Sequence, residues 1–324
     1  MRACLCTELG DPEKLQVLDI AAPVPSDTEI AVRVEACALN FFDTLITRGK
    51  YQFRPDPPFS PSAEFAGIVE QTGAHVSTFK PGDRVMGYVG WGAARELVVT
   101  TEDKLVRLPD GVPFDIAAGL TVTYGTTLHA YCDRARLKAG ETVAVLGASG
   151  GVGQAAVEIA KLMGARVIAC ASSLDKLTFA KKLGADELLD YSANPLKETL
   201  KELTGGKGAD VVYDPVGGDL SEQALRATAW EGRYLVIGFA SGGIPKIPLN
   251  VVMLKGCDVQ GVFWGDAVSR NPDGHKANMA RLLDWVAHGR IKPHIHATYG
   301  LEDIPKALHE LNARKVFGKI IIEP

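Results

Sequence analysis

The stretch from residue 142 to residue 163 constrains this chain more than any other. Thr142-Val143-Ala144-Val145-Leu146 is a β-branched, largely apolar run, the composition of a strand buried on both faces of a parallel sheet. It leads directly into Gly147-Ala148-Ser149-Gly150-Gly151-Val152-Gly153, and residues 154–163 then carry a helical pattern. Strand, glycine turn and helix in that order open a βαβ unit. The helix start offers unpaired N–H groups and the positive end of the helix dipole, which together suit a pyrophosphate. Glycine lets backbone approach such a ligand and lets helix and strand pack closely. The turn departs from G-x-G-x-x-G, because its first position is Ala148; it reads A-x-G-x-x-G on Gly150 and Gly153, with Gly147 in addition. Ser149, Gly150, Gly151, Val152 and Gly153 are therefore candidate cofactor-binding residues. A lone glycine turn is also what a plain tight connection looks like, so its surroundings decide.

Those surroundings continue the alternation. Strands are expected at 166–170, 186–190, 209–213 and 232–237, with helices at 174–183, 195–203 and 220–229 between them. This is the pattern of a doubly wound parallel sheet, and it turns the glycine motif into a dinucleotide site. An NAD-type site places Asp or Glu at the end of the second strand to hold the ribose hydroxyls. Here that strand ends Ala169-Cys170-Ala171-Ser172-Ser173, with no carboxylate before Asp175 and with Lys176 beside it. An acid would repel a 2′-phosphate and a cation attracts one, so Ser172, Ser173 and Lys176 point to NADPH. Tyr191, after the third strand, is a further candidate for the same pocket. A solvated Lys176 and a packing Tyr191 are the plain alternatives.

The first hundred residues have a different character. Strand signals dominate at 29–38, 64–70, 84–90 and 98–106, with Pro81-Gly82-Asp83 as a turn and little helix apart from 41–47. A β-rich, barrel-like domain is expected there. Residues 114–133 look helical, 276–288 form a long amphipathic helix, and the chain closes with a helix at 304–311 and a strand at 319–322. A length of 324 residues asks for two domains. A formal net charge of −4 gives no pull towards nucleic acid or anionic lipid. No apolar run is long enough to span a membrane and no signal peptide is seen, so the cytoplasm is the default. The six scattered cysteines read as reduced thiols.

Several blocks together resemble the medium-chain dehydrogenase/reductase family, and within it the zinc-free quinone oxidoreductase branch. They are Asn40-Phe41-Phe42-Asp43, Pro58-Phe59-Ser60-Pro61-Ser62-Ala63-Glu64-Phe65-Ala66-Gly67, Phe79-Lys80-Pro81-Gly82-Asp83-Arg84-Val85, the dinucleotide turn, and Arg314-Lys315-Val316-Phe317-Gly318-Lys319-Ile320. The likeness runs along the whole chain in order. It implies an α/β protein with a Rossmann sheet and a GroES-like β-rich catalytic domain. By that likeness residues 1–122 begin the catalytic domain, 123–262 form the NADPH-binding domain and 263–324 return to the first. The family's active site lies in the cleft between the two, and a homodimer is the expected assembly. The zinc-dependent branch places a ligand cysteine where this chain has Asn40 and a ligand histidine where it has Ala63. The structural-zinc lobe with its four cysteines is missing too. Cys37 falls three positions before Asn40 and is expected to pack in the core, and His294 and His296 are read as solvated or packed rather than ligating. No metal is expected.

Without zinc to assist removal of a hydroxyl proton, hydride delivery to an already electrophilic carbon is the natural chemistry. Quinones and conjugated carbonyl compounds are such acceptors. Tyr51, in Gly49-Lys50-Tyr51, matches a tyrosine implicated as proton donor in related enoyl-thioester reductases; a phenol is protonated at neutral pH and can donate. Lining the cleft is its plainer role. The resemblance places Asn40 near the nicotinamide or the substrate as a neutral hydrogen-bonding group, and gives Asp43 a structural role at a helix start. It also places Thr126, Gly238, Phe239 and Ser241 against the cofactor, and Phe263, Trp264 and Gly265 on a later strand beside the nicotinamide. Arg314 matches an arginine that reaches the cofactor. Two other readings stay open: an enoyl-thioester or enone double-bond reductase, and an NADPH-binding protein with a structural or sensory role.

Overall fold

The computed structural model describes residues 1–324 throughout. The chain divides into two compact units, Met1–Val122 with Val268–Pro324, and Thr123–Ala267. From the N-terminus run β1 (Arg2–Cys6), β2 (Leu15–Asp19), β3 (Glu29–Leu39), helix α1 (Asp43–Ile46), β4 (Glu64–Thr72), β5 (Arg84–Tyr88), β6 (Leu97–Thr101), β7 (Leu105–Arg107) and α2 (Phe114–Ala118). The middle of the chain gives α3 (Thr121–His129), β8 (Thr142–Leu146), α4 (Gly151–Leu162), β9 (Arg166–Ala171), α5 (Leu174–Lys182), β10 (Glu187–Asp190), α6 (Leu196–Leu203), β11 (Ala209–Asp214), α7 (Asp219–Arg226), β12 (Thr228–Val236), α8 (Leu249–Lys255) and β13 (Asp258–Gly261). It closes with α9 (Trp264–Arg270), α10 (Pro272–Ala287), β14 (Ile295–Gly300), α11 (Ile304–Asn312) and β15 (Lys319–Glu323).

In the first unit a seven-stranded sheet has the order β14-β15-β3-β4-β5-β7, with β6 also paired to β3, and β1 pairs with β2 apart from it. Strand β3 is the spine. Its Ala38 stands opposite Glu64 at the start of β4, and its Leu39 opposite Ile320 near the start of β15. Both partners run antiparallel to β3. Two strand beginnings are thus brought to one strand ending, 255 residues apart in sequence. The core beneath includes Cys37, Leu39, Ile46, Phe65, Val85, Ile320 and Ile322. Each such side chain contributes roughly 1.5–3 kcal/mol by leaving water. Burial also pushes the Cys37 thiol up to about 12, so it packs as a neutral apolar group.

The second unit is a six-stranded, all-parallel Rossmann sheet in the order β10-β9-β8-β11-β12-β13, doubly wound from β8 outwards. Strands β8, β9 and β11 are almost wholly buried, which is why they read as unbroken apolar runs. The order reverses at β8, between β9 and β11. The crevice outside the strand ends at that reversal is where such sheets bind ligands.

Several expectations are corrected. The stretch 98–106 is not one strand: a 3-10 turn at Glu102–Lys104 separates β6, which pairs with β3, from β7, which pairs with β5. The helix expected at 114–133 breaks at Gly119–Leu120 into α2 and α3, and α3 runs on into a π-helical turn, Ala130–Arg134. Strand 232–237 is the end of the longer β12, and it is not the last of its sheet. The short, polar Asp-Val-Gln-Gly of β13 carries no strand signal of its own; it pairs with β12 in register Arg233↔Asp258 through Val236↔Gly261. Phe263, Trp264 and Gly265 therefore lie beyond a strand rather than on one, and Trp264 and Gly265 open α9. His294 precedes β14 while His296 lies on it, stacked on Phe317 at 6.1 Å.

Candidate functional site

The glycine turn sits at the C-terminal end of β8. Gly150 is the residue before the first turn of α4, in extended conformation, and no side chain caps that helix end. The N–H groups of Gly151, Val152 and Gly153 are left to point outwards, as an anion site requires. Gly147 adopts a positive φ of 59°. A Cβ on Gly153 would lie 2.2 Å from the Gly147 carbonyl oxygen, so helix and turn meet there at a distance only glycine allows. The residues present fit a pyrophosphate.

Apart from Thr126, which lies on α3, the other expected cofactor residues of this unit fall along the same edge of the sheet, because each follows a parallel strand. Ser172 and Ser173 follow β9, which lies against β8, and the Ala148 N–H donates to the Cys170 carbonyl at 3.2 Å. Ser173 caps α5, its hydroxyl accepting from the Lys176 N–H at 3.5 Å. The Lys176 ammonium reaches back to the Ser172 hydroxyl at 3.1 Å. The structure thus gathers Ser172, Ser173 and Lys176 into one corner, beside a helix start and with a positive charge aimed into it. Tyr191 follows β10 and donates its N–H to the Ala171 carbonyl at 3.1 Å, while its ring packs on the sheet core.

On the other side of β8, the turn after β11 and the loop after β12 are clasped together. The N–H groups of Ala240 and Ser241 donate to the carbonyls of Pro215 and Val216 at 3.0 and 2.8 Å, and Gly218 N–H donates to Gly243 at 3.0 Å. A Cβ on Gly217 would meet the Phe239 ring at 2.9 Å. Asp214 anchors this clasp. Its carboxylate accepts from the N–H groups of Val216 and Gly217 and from the hydroxyls of Ser221 and Tyr234. Sequence reasoning reached Gly238, Phe239 and Ser241 but missed Asp214, whose only signal was a carboxylate closing a buried strand. Phe263 lies just past β13, half exposed. Thr126 is buried on α3, one residue before Thr127, whose hydroxyl meets that of Tyr213 at 2.9 Å.

Asn40, Tyr51 and Arg314 belong to the first unit. Asn40 sits where β3 ends, only 7% exposed, in a charged cluster that sequence reasoning did not foresee. Lys319, at the start of β15, is 2% exposed, and Glu64, at the start of β4, is 0% exposed. The Lys319 ammonium donates to Asn40 Oδ1 at 2.6 Å, to Glu64 Oε1 at 2.8 Å and to the Leu39 carbonyl at 3.1 Å. Asn40 Nδ2 donates to Glu64 Oε1 at 2.8 Å, and Glu64 Oε2 accepts from the Val122 N–H at 2.6 Å. Asp43 adds a second carboxyl, accepting from the N–H groups of Asn40 at 2.7 Å and Ser62 at 2.8 Å. It ties two loops together rather than capping α1, whose N-cap is Phe42. Burial pushes the Asp43 carboxyl up to about 7 against those two donors and the Lys319 charge, with Glu64 adding to the rise. The signal for the cluster was a charged residue opening a strand whose next residues are apolar, twice over.

Tyr51 is half buried, stacked on Phe42 at 5.3 Å and tilted against Phe53 at 6.0 Å. Burial, and then the Asp43 charge, raise its phenol further, so it holds its proton and is available as a donor. Arg314 is exposed after α11, in a left-handed backbone conformation with φ 57°. No group of three or more His, Cys, Asp or Glu side chains is placed to hold a metal ion. No helix is long and apolar enough to cross a membrane.

Residues 26–110 match the alcohol dehydrogenase GroES-like domain family, and residues 151–287 match the zinc-binding dehydrogenase family. The rat quinone oxidoreductase-like protein 2 is 39% identical over 322 residues, covering 99% of this chain and 91% of its own. The crystal structure of the Pseudomonas syringae quinone oxidoreductase superposes with a TM-score of 0.94 at 35% identity, covering 100% of this chain and 99% of that one. The Escherichia coli quinone oxidoreductase complexed with NADPH superposes with a TM-score of 0.91 at 30% identity, covering both chains in full.

Proposed function

The chain belongs to the quinone oxidoreductase branch of the medium-chain dehydrogenase/reductase family, and from that premise we propose that it reduces quinones and other conjugated carbonyl compounds with NADPH, without a metal ion. The observation that carries the reading is the corner at Ser172, Ser173 and Lys176, where a cation and a capped helix start stand in place of a ribose-binding acid. The NADPH-bound Escherichia coli relative supports the same cofactor.

In this reading residues 123–262 bind the cofactor and residues 1–122 with 263–324 bind the acceptor. The N–H groups of Gly151, Val152 and Gly153, with Ser149 beside them, hold the pyrophosphate. Ser172, Ser173 and Lys176 hold the 2′-phosphate, with Tyr191 alongside. Gly238, Phe239 and Ser241, fixed by Asp214, line the nicotinamide end, together with Thr126, Phe263, Trp264 and Gly265; Arg314 contacts the cofactor from the C-terminal segment. NADPH supplies the hydride. Asn40 hydrogen-bonds the acceptor, and Tyr51 gives its phenolic proton to the hydroquinone or enolate oxygen that the hydride leaves negative. Measuring dissociation constants for NADPH and NADH on the purified protein tests the cofactor; tighter NADH binding rejects it. Replacement of Tyr51 by Phe is expected to lower kcat about 100-fold, and unchanged turnover rules out proton donation.

A homodimer completes the reading. Leu249, Met253 and Leu254 of α8 are 74%, 72% and 67% exposed, near an outer strand, β13, that is paired on one side only. Apolar surface and an open strand edge are what a second copy covers, and sedimentation velocity would find a monomer if this is wrong. The six free thiols fit a reducing compartment, the cytoplasm.

A further inference from the structure

The hydrogen-bond network of the first unit fixes which way the Asn40 carboxamide faces. Its Oδ1 meets Lys319, which can only donate, and its Nδ2 meets Glu64, which can only accept. A flipped amide would set N–H against ammonium and oxygen against carboxylate, so the orientation is locked by charge. Oδ1 is engaged with an ammonium. Nδ2 carries two hydrogens, and Glu64 takes one of them, so the second is the one Nδ2 can offer to a ligand. Both neighbours are charged, and both polarise the amide in the same sense: the ammonium draws electron density to Oδ1 and leaves Nδ2–H a stronger donor.

We infer that Lys319 and Glu64 are positioning residues that hold Asn40 as a one-way hydrogen-bond donor, and that the group it receives is the carbonyl oxygen of the electron acceptor. This rests on the acceptor role given to Asn40 above and sharpens it: the site selects acceptors by an oxygen that gains negative charge, and disfavours groups that present N–H. Lys319 and Glu64 act through Asn40, strengthening its hold on that oxygen as the charge develops.

Two measurements test it. The first uses the full chain with Lys319→Met and Glu64→Met together, which removes both charges of a buried pair and leaves neither uncompensated; such replacements are often neutral or stabilising. With NADPH and 1,4-naphthoquinone, kcat should fall about tenfold or more, while the melting temperature and the NADPH dissociation constant hold. A merely structural pair would instead move the melting temperature and leave kcat alone, and a folded double variant with kcat within twofold of the native value overturns the inference. Lys319→Arg, keeping the charge, should restore part of the loss. The second needs no variant: a crystal structure of the native protein with NADP⁺ and the quinone. A quinone oxygen within hydrogen-bond distance of Asn40 Nδ2 is expected, and an N–H group or nothing at that nitrogen overturns it, so the question is decided even if the double variant does not fold. A native protein that fails to oxidise NADPH with any quinone would sink the parent reading as well; activity in the native protein together with an unaffected double variant sinks this inference alone.

Discussion

The two units build their polar sites from opposite materials. In the Rossmann unit the proposed anion site is backbone: N–H groups at the start of α4, where Gly153 lets the helix come close to the turn. In the other unit the site is side chains: Lys319, Glu64, Asn40 and Asp43, desolvated and held by one another. The backbone site is local, spanning seven residues, and it tolerates any side chain that stays out of the way. The side-chain site joins residues 255 positions apart, and it fails if one charge is lost. A backbone site should therefore break by steric intrusion, and a charge cluster by removal of a partner.

The largest effect on cofactor binding is expected at the backbone site. Gly153→Ala puts a methyl 2.2 Å from the Gly147 oxygen; the turn must open, and NADPH binding should weaken more than about 100-fold, the loss of roughly 3 kcal/mol or more. Titration of cofactor fluorescence measures it, and binding within a factor of three would mean the close approach is not needed. Next comes the cluster. Lys319→Met alone strands Glu64 as a buried, unpaired charge and should cost about 3–5 kcal/mol of stability in urea denaturation, more than the double replacement described above. If single and double variants are equally stable, the pair is not a charge cluster in the sense drawn here. A smaller effect, about tenfold, is expected for Lys176→Ala on NADPH affinity, with NADH affinity unchanged. An equal loss for both nucleotides would make Lys176 a structural residue.

The last concerns Asp43, and it is read as a pH dependence. Its folded pKa, about 7, lies above the unfolded value of about 3.9. The folded state therefore holds the extra proton between those values, and the stability this group contributes is complete below about pH 4 and lost as pH rises through about 7. Asp43→Asn removes that titration. The stability of the native protein relative to the variant should fall by on the order of 2 kcal/mol between pH 5 and pH 8, and a difference that does not change with pH would refute the assignment.

The same contrast explains what was legible in the sequence. The strand, glycine turn and helix at 142–163 are contiguous, so one stretch of residues carries the whole signal, and β8, α4 and β9 lie where their patterns place them. The corner at Ser172 and Lys176 is also local, i to i+4 on one helix start. The cluster at Lys319 was not legible as a site, although the strand 319–322 was: Lys-Ile-Ile-Ile reads as a strand with a polar first residue, and nothing in it reports Glu64. Only the register of β3 with β4 and β15 brings them together. Strand β13 was missed for a related reason, since Asp-Val-Gln-Gly becomes a strand by pairing with β12 rather than by its own preference. Trp264 then fell on a helix because the strand before it had already ended.

The register of β15 also orders events during synthesis. A ribosome delivers β3 and Glu64 first, then the entire Rossmann unit, and Lys319 only after some 250 further residues. Until then Glu64 is a carboxylate awaiting its cation, and β3 has an open edge where Ile320, Ile321 and Ile322 will pair. The Rossmann unit is synthesised whole before the first unit receives its last strand, so no partly made chain carries the complete cluster. A chain cut before residue 319 would keep the Rossmann unit and lose the ammonium that holds Asn40 Oδ1, with Glu64 alone left on Nδ2.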